Sequence, residues 1–282
     1  MKLSCLPVSF FSEIINGRMS LREWAKMGSS LGLDAIDLSI LFTPDHSPAT
    51  LKRVRAEIES EGMQVAMVTS YPDFTHPSQS QRRRELEMEI EVVEVAAQLG
   101  AELVRVTAGQ AHPETPREAG IAWAVEGLTR LQEATKACGV TLVYENHAKP
   151  GAWQYTDFSQ PPDIFLEIVR QTSAVNLGVN FDTGNAAAFG DDPLDLLDQV
   201  IHRVISVHAS DTARRGELIH VLLGTGVTPF YELFSRLKQA GWDGWICMEE
   251  ASFTGREGVE LAAKFIRQVW ESVSVIEKSA NV

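Results

Sequence analysis

Four stretches of the sequence end a short apolar run on a side chain able to hold a metal ion: Thr141-Leu-Val-Tyr-Glu145, Gly178-Val-Asn-Phe-Asp182, Val204-Ile-Ser-Val-His208 and Trp245-Ile-Cys-Met-Glu249. A lone carboxylate at a strand end is often a helix N-cap or a loop acceptor, and a lone histidine is more often a satisfied core residue than a ligand. Four such residues at equivalent places in four successive strands are hard to obtain by chance. If the strand tips converge, mutual repulsion and desolvation make the cluster expensive without a cation to neutralise it. Three carboxylates and one imidazole form a mostly hard, oxygen-rich set. It favours Mn2+, with Mg2+, Co2+ or Zn2+ also able to bind.

The elements that must position these groups recur along the chain as an amphipathic helix, a glycine and a short β-rich run. The unit reads Trp24–Leu31, Gly32, Ala35–Leu41, then Leu51–Glu61, Gly62, Gln64–Thr69, then Leu86–Leu99, Gly100, Leu103–Thr107. Later copies are Ala124–Cys138, Gly139, Thr141–Tyr144 and Tyr231–Ala240, Gly241, Gly244–Met248. Glycine just past a helix takes the left-handed conformation that ends it. Ser20-x-x-Glu23 reads as a capping box, and Ser47-Pro48 as an N-cap with proline at the first helical position. Adding Leu3–Phe10, Val175–Phe181 and Val204–Val207 gives eight strands alternating with helices, hence an α/β protein, a (β/α)8 TIM barrel forming a single domain over residues 1–282. The alternative, an open doubly wound sheet, lacks a Gly-x-Gly-x-x-Gly after its first strand. The long stretches after strands, residues 70–78, 108–116, 147–162 and 209–222, become loops on the active-site face.

Composition narrows the function. With 282 residues, 44% hydrophobic and 22% charged, the chain can bury a large core, and its net charge of −13 disfavours nucleic acid as a partner. Arg82-Arg83-Arg84, followed by Glu85, Glu87, Glu89, Glu91 and Glu94, reads as an exposed helix face. Three scattered cysteines give no disulfide framework, no run approaches a membrane span, and the N-terminus is too soon polar for a secretory signal. Together these predict a cytoplasmic protein.

The segments Tyr144-Glu145-Asn146-His147, Phe181-Asp182-Thr183-Gly184-Asn185, His208-Ala-Ser-Asp211-Thr-Ala-Arg214 and Leu223-Gly224-Thr225-Gly226 resemble the xylose isomerase-like barrel superfamily. Within it they are most similar to the sugar phosphate isomerase/epimerase group, which includes ketose 3-epimerases and inosose dehydratases. The Gly241-Trp-Asp-Gly-Trp245 lead-in to the last strand fits the same pattern. The resemblance implies that Glu145, Asp182, His208 and Glu249 are metal ligands, that Arg214 contacts substrate, and that the enzyme is a homodimer. Side chains alternate along a strand, so one of Glu249 and Glu250 points inward, and the family's apolar-apolar-Glu spacing selects Glu249. Two departures stand out: Asn185 replaces a histidine common in the 3-epimerases, and Thr225 replaces a glutamate common between the two glycines.

The chemistry expected is proton removal next to a carbonyl of a ketose or keto-sugar, through a metal-stabilised enediolate. Glu145 and Glu249 are the expected catalytic pair, one abstracting the proton and the other returning it. His147, Asn185 and Arg214 are expected at substrate oxygens, with an ion pair to Asp211 as the competing role for Arg214. Trp153, with Tyr71, Phe74, Tyr155, Phe158 and Phe253, is expected to cover the apolar face of a sugar or cyclitol. The glycine pair at Leu223–Gly226 is weak as a phosphate site, which favours an unphosphorylated substrate. The alternatives are a lyase acting on a keto-sugar or inosose at the same site and, more remotely, an apurinic endonuclease.

Overall fold

A computed structural model describes residues 1–149, 151 and 153–280, and of residues 274–280 the backbone alone. Eight parallel strands form one sheet: β1 (Lys2–Leu6), β2 (Ile36–Ser39), β3 (Val65–Thr69), β4 (Leu103–Val106), β5 (Thr141–Glu145), β6 (Gly178–Asp182), β7 (Val204–Ala209) and, after a two-stranded hairpin of β8 (Thr212–Arg214) and β9 (Glu217–His220), β10 (Trp245–Glu249). The ladder runs β1-β10-β7-β6-β5-β4-β3-β2, so the two strands nearest the N-terminus sit at its two ends. Backbone and side chains seal that seam. Asp34 N donates to Leu3 O (2.9 Å), Leu3 N donates to the Asp34 carboxylate (2.8 Å), and Ser4 Oγ donates to Asp37 Oδ2 (2.7 Å). The result is a (β/α)8 barrel, as the alternation of elements requires.

Local chemistry sets the element boundaries. The capping box at Ser20 and Glu23 forms, and Ser47 caps the helix Pro48–Ser60 with proline inside its first turn. The five glycines expected to end helices all have positive φ, between 71° and 78°. The first strand is shorter than expected: it stops at Leu6, and Pro7 turns the chain into a helical excursion over Val8–Ile15. Proline offers no N–H to continue a ladder. The strand expected from Val175 starts instead at Gly178, because Asn176 adopts a left-handed conformation after a 3-10 turn. The stretch 209–222 contains the β8–β9 hairpin rather than loop alone.

Strand side chains alternate between two environments. Leu142, Tyr144, Val179, Phe181, Val207, Ile246 and Met248 pack outward beneath the helices. Val143, Met67, Leu103, Cys247 and Trp245 form a separate cluster filling the barrel interior. Residues two positions further along share that inner face, which carries Arg105, Glu145 and Glu249 into the barrel above the apolar plug.

One exposed-face assignment fails. Glu89, in the helix Gln79–Leu99, is buried and accepts a short hydrogen bond from Ser70 Oγ. Burial pushes its carboxyl up to about 8, with Glu85 adding to the rise and Ser70 opposing it. The folded state therefore holds a proton that the unfolded chain releases near pH 4.5, so stability falls as pH rises from that value towards 8. Glu89→Gln should remove this slope: relative to wild type, its melting temperature should gain a few degrees on going from pH 5 to pH 8, an effect of about 3 kcal/mol. Parallel thermal scans at the two pH values read the difference.

Candidate metal centre

Glu145, Asp182, His208 and Glu249 meet at the C-terminal mouth of the barrel. Each offers a ligand atom within 4.8 Å of every other, and all four residues are buried. Glu145 ends β5, Asp182 ends β6 and Glu249 ends β10, while His208 lies one residue before the end of β7. His208 Nδ1 lies 2.8 Å from Glu145 Oε1 and 3.1 Å from Glu249 Oε1. Its Nε2 lies 3.2 Å from Met67 Sδ, so Nδ1 is the nitrogen that faces the carboxylates.

Asp182 shows most directly what the cluster can bind. Its Oδ1 accepts from Asn185 N (2.6 Å) and Ser210 Oγ (2.8 Å), which makes it the N-cap of the helix Thr183–Ala188. Its Oδ2 is buried and has no hydrogen-bond partner. A buried carboxylate oxygen without a donor is costly, and a cation is the partner this donor set fits. Cap and ligand are thus divided between the two oxygens of one side chain.

A residue unforeseen in the sequence supplies the opposing charge. Arg105, on β4, is fully buried; its Nε lies 2.6 Å from Glu145 Oε2 and its guanidinium reaches Glu249 Oε1 at 3.5 Å. It also donates to Ser70 O (3.1 Å) and to the Tyr71 hydroxyl (3.3 Å), with its guanidinium 4.5 Å from the centre of that ring. The signal was a lone arginine inside the apolar run Leu103-Val-Arg-Val. Only closure of the barrel turns that position into an interior one.

The electrostatics follow from burial set against these partners. Burial raises Asp182 well above the usual carboxylate range, and Glu249 and Glu145 add to the rise. Burial pushes Glu249 and Glu145 in the same direction, but His208 and Arg105 override it and hold both below their ordinary value. His208 is held well above its ordinary value against desolvation by the same two glutamates. His147 falls to about 4, chiefly through burial.

Above the cluster opens a cavity of about 420 Å³, lined in part by Glu249, His147, Asn185, Tyr71, His220 and Phe253. His147 and Asn185 therefore stand where substrate oxygens were expected, although Asn185 Oδ1 already accepts from Ala148 N (3.2 Å). Arg214 does not line it: the side chain is exposed on β8 and pairs with Glu217 at 2.5 Å. The alternative pairing with Asp211 also fails. Asp211 is buried and accepts four backbone N–H groups, from Thr212, Gly224, Gly226 and Thr228, at 2.9–3.1 Å. The N–H groups of the glycine pair are thereby taken up internally, which removes the turn as a phosphate cradle.

Of the aromatic side chains expected at the mouth, Tyr71 and Phe253 line the cavity. Trp153 is half-buried outside that lining, Phe74 and Phe158 are in the core, and Tyr155 meets His112 edge to face. His112 and His76 pack edge to face, and His112 pairs with Asp73 at 2.7 Å. Glu250, the neighbour of Glu249, points to the other side, where Oε1 accepts from Ser252 N (2.8 Å).

Residues 26–269 match the family described as xylose isomerase-like TIM barrel. The chain belongs to that family. It is similar to an uncharacterized protein of Methanocaldococcus jannaschii, 26% identical over 248 residues, covering 82% of this chain and 80% of the relative. It is also similar to an inosose dehydratase of Geobacillus thermodenitrificans, 25% identical over 141 residues; that match spans 44% of this chain and 45% of the dehydratase, less than half of either. In solved structures the family fold recurs in an L-ribulose 3-epimerase, at 18% identity and TM-score 0.81 over 100% of this chain and 99% of that one. It recurs again in a protein named IOLI with a bound zinc atom, at 18% identity and TM-score 0.79 over 97% of this chain and 99% of that one. At these identities the structural likeness shows the fold. The proteins it is similar to thus include one named a dehydratase and one named an epimerase, and among the described residues no helix is long and apolar enough to cross a membrane.

Replacing Arg105 by Met leaves Glu145 buried with only His208 opposite it, and loss of one partner of a buried pair costs about 3–5 kcal/mol. Arg105→Met should therefore melt well below wild type in chelator. Excess Mn2+ should raise its melting temperature by more than it raises that of wild type, as differential scanning calorimetry would show.

Proposed function

We propose that the chain is a divalent-metal-dependent sugar isomerase or epimerase that moves a proton at a carbon next to the carbonyl of an unphosphorylated ketose or keto-sugar. The observation carrying this reading is the convergence of four ligand atoms, with Asp182 Oδ2 buried and unpartnered among them and Glu249 in the lining of a cavity. Glu145, Asp182, His208 and Glu249 would hold the ion, and the oxygen-rich set favours Mn2+. A cation bound there supplies Lewis acidity to the substrate carbonyl and its neighbouring hydroxyl.

The protein's own groups divide the remaining work. Glu249 lines the cavity and is positioned to take the proton. His147, buried and held neutral, can hydrogen-bond a substrate oxygen without adding charge. Arg105 fixes the orientation of Glu145 and opposes accumulation of negative charge in the site. Tyr71, oriented by Arg105, forms part of the wall beside the reacting carbons.

A dehydratase acting on a keto-sugar or inosose is the second reading, and one geometric feature favours it. Both oxygens of Glu145 are engaged, Oε2 by Arg105 and Oε1 by His208 and Asn180, so Glu249 is the carboxylate facing the cavity. One accessible base suits removal of a proton followed by loss of a β-hydroxyl, or return of the proton on the same face. Epimerisation needs both faces. The endonuclease reading has no comparable support: among the described residues a single ligand cluster is found, and the chain carries a net charge of −13.

Glu249→Gln should lower turnover by about two to four orders of magnitude, with Glu145→Gln close behind and both variants folded. Proton NMR of a panel of ketoses and inososes in D2O with Mn2+ reads the reaction directly. Exchange of the α-proton without loss of mass marks an isomerase or epimerase, and loss of water marks the dehydratase. Wild-type rates in Glu249→Gln would remove it from the chemistry. His208→Ala should lower the metal content measured after dialysis.

A further inference from the structure

The basic run Arg82-Arg83-Arg84, read in the sequence as an exposed helix face, borders a groove between two helices of the outer layer. Gln79, Arg82, Arg83 and Leu86 recur at helical spacing on one stripe of the helix Gln79–Leu99, and Trp123, Glu126, Gly127 and Arg130 repeat the same spacing on the helix Arg117–Cys138. With Phe74 they line a cavity of about 110 Å³ that shares no residue with the cavity over the metal centre. Phe74 closes its floor: the ring lies against the bare backbone of Gly127, where an added Cβ would meet it at 2.6 Å.

Three guanidinium groups and one carboxylate border this space, a local positive excess in a chain of net charge −13. Arg82 is fixed in place. Its Nη1 donates to His76 O (2.7 Å) and Pro77 O (3.0 Å), and its guanidinium lies 3.7 Å from the centre of the Trp123 ring. Arg130 meets Glu126 at 3.7 Å with both side chains exposed, a pairing worth little in water. Arg83 has no partner among the described residues. Glu87 stands one turn beyond it, at the spacing where Arg53 pairs with Glu57 and Arg55 with Glu59, yet no ion pair forms. Other acidic residues of that helix are directed elsewhere: Glu85 accepts from Asp73 N and Gln81, Glu89 accepts from Ser70, and Glu91 meets His46. The helix also starts with no acidic residue in its first turn and no side-chain cap from Ser78, so the positive end of its dipole adds to the field beside Gln79.

We infer that this groove binds a phosphate dianion, free or as the monoester of a small metabolite, at a site separate from the metal centre. Guanidinium groups present paired N–H donors that match phosphate oxygens. Water occupies about 30 Å³ per molecule in the liquid, so the cavity takes a few waters or one tetrahedral oxyanion. The stacking of Arg82 on Trp123 and its two carbonyl contacts hold one donor group ready, which lowers the entropy lost on binding. Glu126 works against the anion, and its loose pairing with Arg130 leaves that arginine able to turn to a better partner.

Isothermal titration calorimetry of the full chain at pH 8 and low salt tests this, since a monoester with its second pKa at about 6 is then a dianion and screening is weak. Inorganic phosphate should bind saturably with a Kd on the order of 1 mM, and glucose should give no binding heat. Glucose 6-phosphate separates the two sources: affinity equal to or above that of inorganic phosphate marks a monoester site, and weaker affinity marks a site for the free ion. Arg83→Met should weaken phosphate binding at least about fivefold, and Arg83→Met with Arg130→Met should abolish saturation. Glu126→Gln should tighten binding by about twofold or more. All three side chains are exposed, so each variant should melt close to wild type. Lys149→Met, which removes a cation lining the other cavity, should leave phosphate affinity unchanged. Absence of saturable binding in wild type would overturn the inference, as would unchanged affinity in the double variant. Loss of binding in Lys149→Met but not in Arg83→Met would also overturn it, by placing the anion at the metal centre's cavity.

Discussion

The structure is organised around like charge confined in a dry volume. Three carboxylates converge where little water can screen them, and their neighbours are arranged so that the total stays near zero. In the ion-free protein the shifts all point to one arrangement: Glu145 and Glu249 ionised, Arg105 and His208 positive, and Asp182 holding its proton. A divalent cation bound by the cluster would compete with protons held there. Metal binding at such a site is coupled to proton release and becomes tighter as pH rises. Arg105 offsets part of the negative charge that Glu145 and Glu249 bring into the barrel.

The surrounding architecture serves to hold that cluster still. Asn180 donates to Glu145 (3.2 Å) while its own oxygen accepts from Ser206 Oγ (2.6 Å), so the inner faces of β5, β6 and β7 are stitched together just below the ligands. Asn146 bridges β5 and β6 by donating to Asp182 O and accepting from Asp182 N, both at 2.8 Å. Asp211 fastens the turn at 224–228 to the base of the hairpin through three N–H contacts, fixing the loop that brings Leu218 and His220 to the mouth. Rigid polar cross-links of this kind orient ligands before any ion arrives.

Much of this was legible in the sequence because it depends on local period and position. Glycines after helices, strand runs and an ionisable residue at each strand tip are all short-range signals, and they yielded the barrel and the convergence of the quartet. What escaped depends on closure. Arg105 and Glu89 look like solvent-facing charges when their strand and helix are read alone, and only the assembled barrel and its helical layer bury them. Arg214 shows the converse: its spacing from His208 suggested a substrate contact, but the hairpin twists it outward to Glu217. The strand expected over Leu3–Phe10 was cut short by Pro7, and its remainder became the excursion that supplies Val8 and Phe11 to the lining of the cavity.

The central claim is that the four strand-tip groups share one cation, and anomalous diffraction from crystals grown with Mn2+ tests it most directly. The account predicts one strong peak per chain within coordination distance of Glu145, Asp182, His208 Nδ1 and Glu249, with Asp182 Oδ2 among the ligands. A map without a peak there, or an ion bound elsewhere while Arg105 still bridges Glu145 and Glu249, would contradict it.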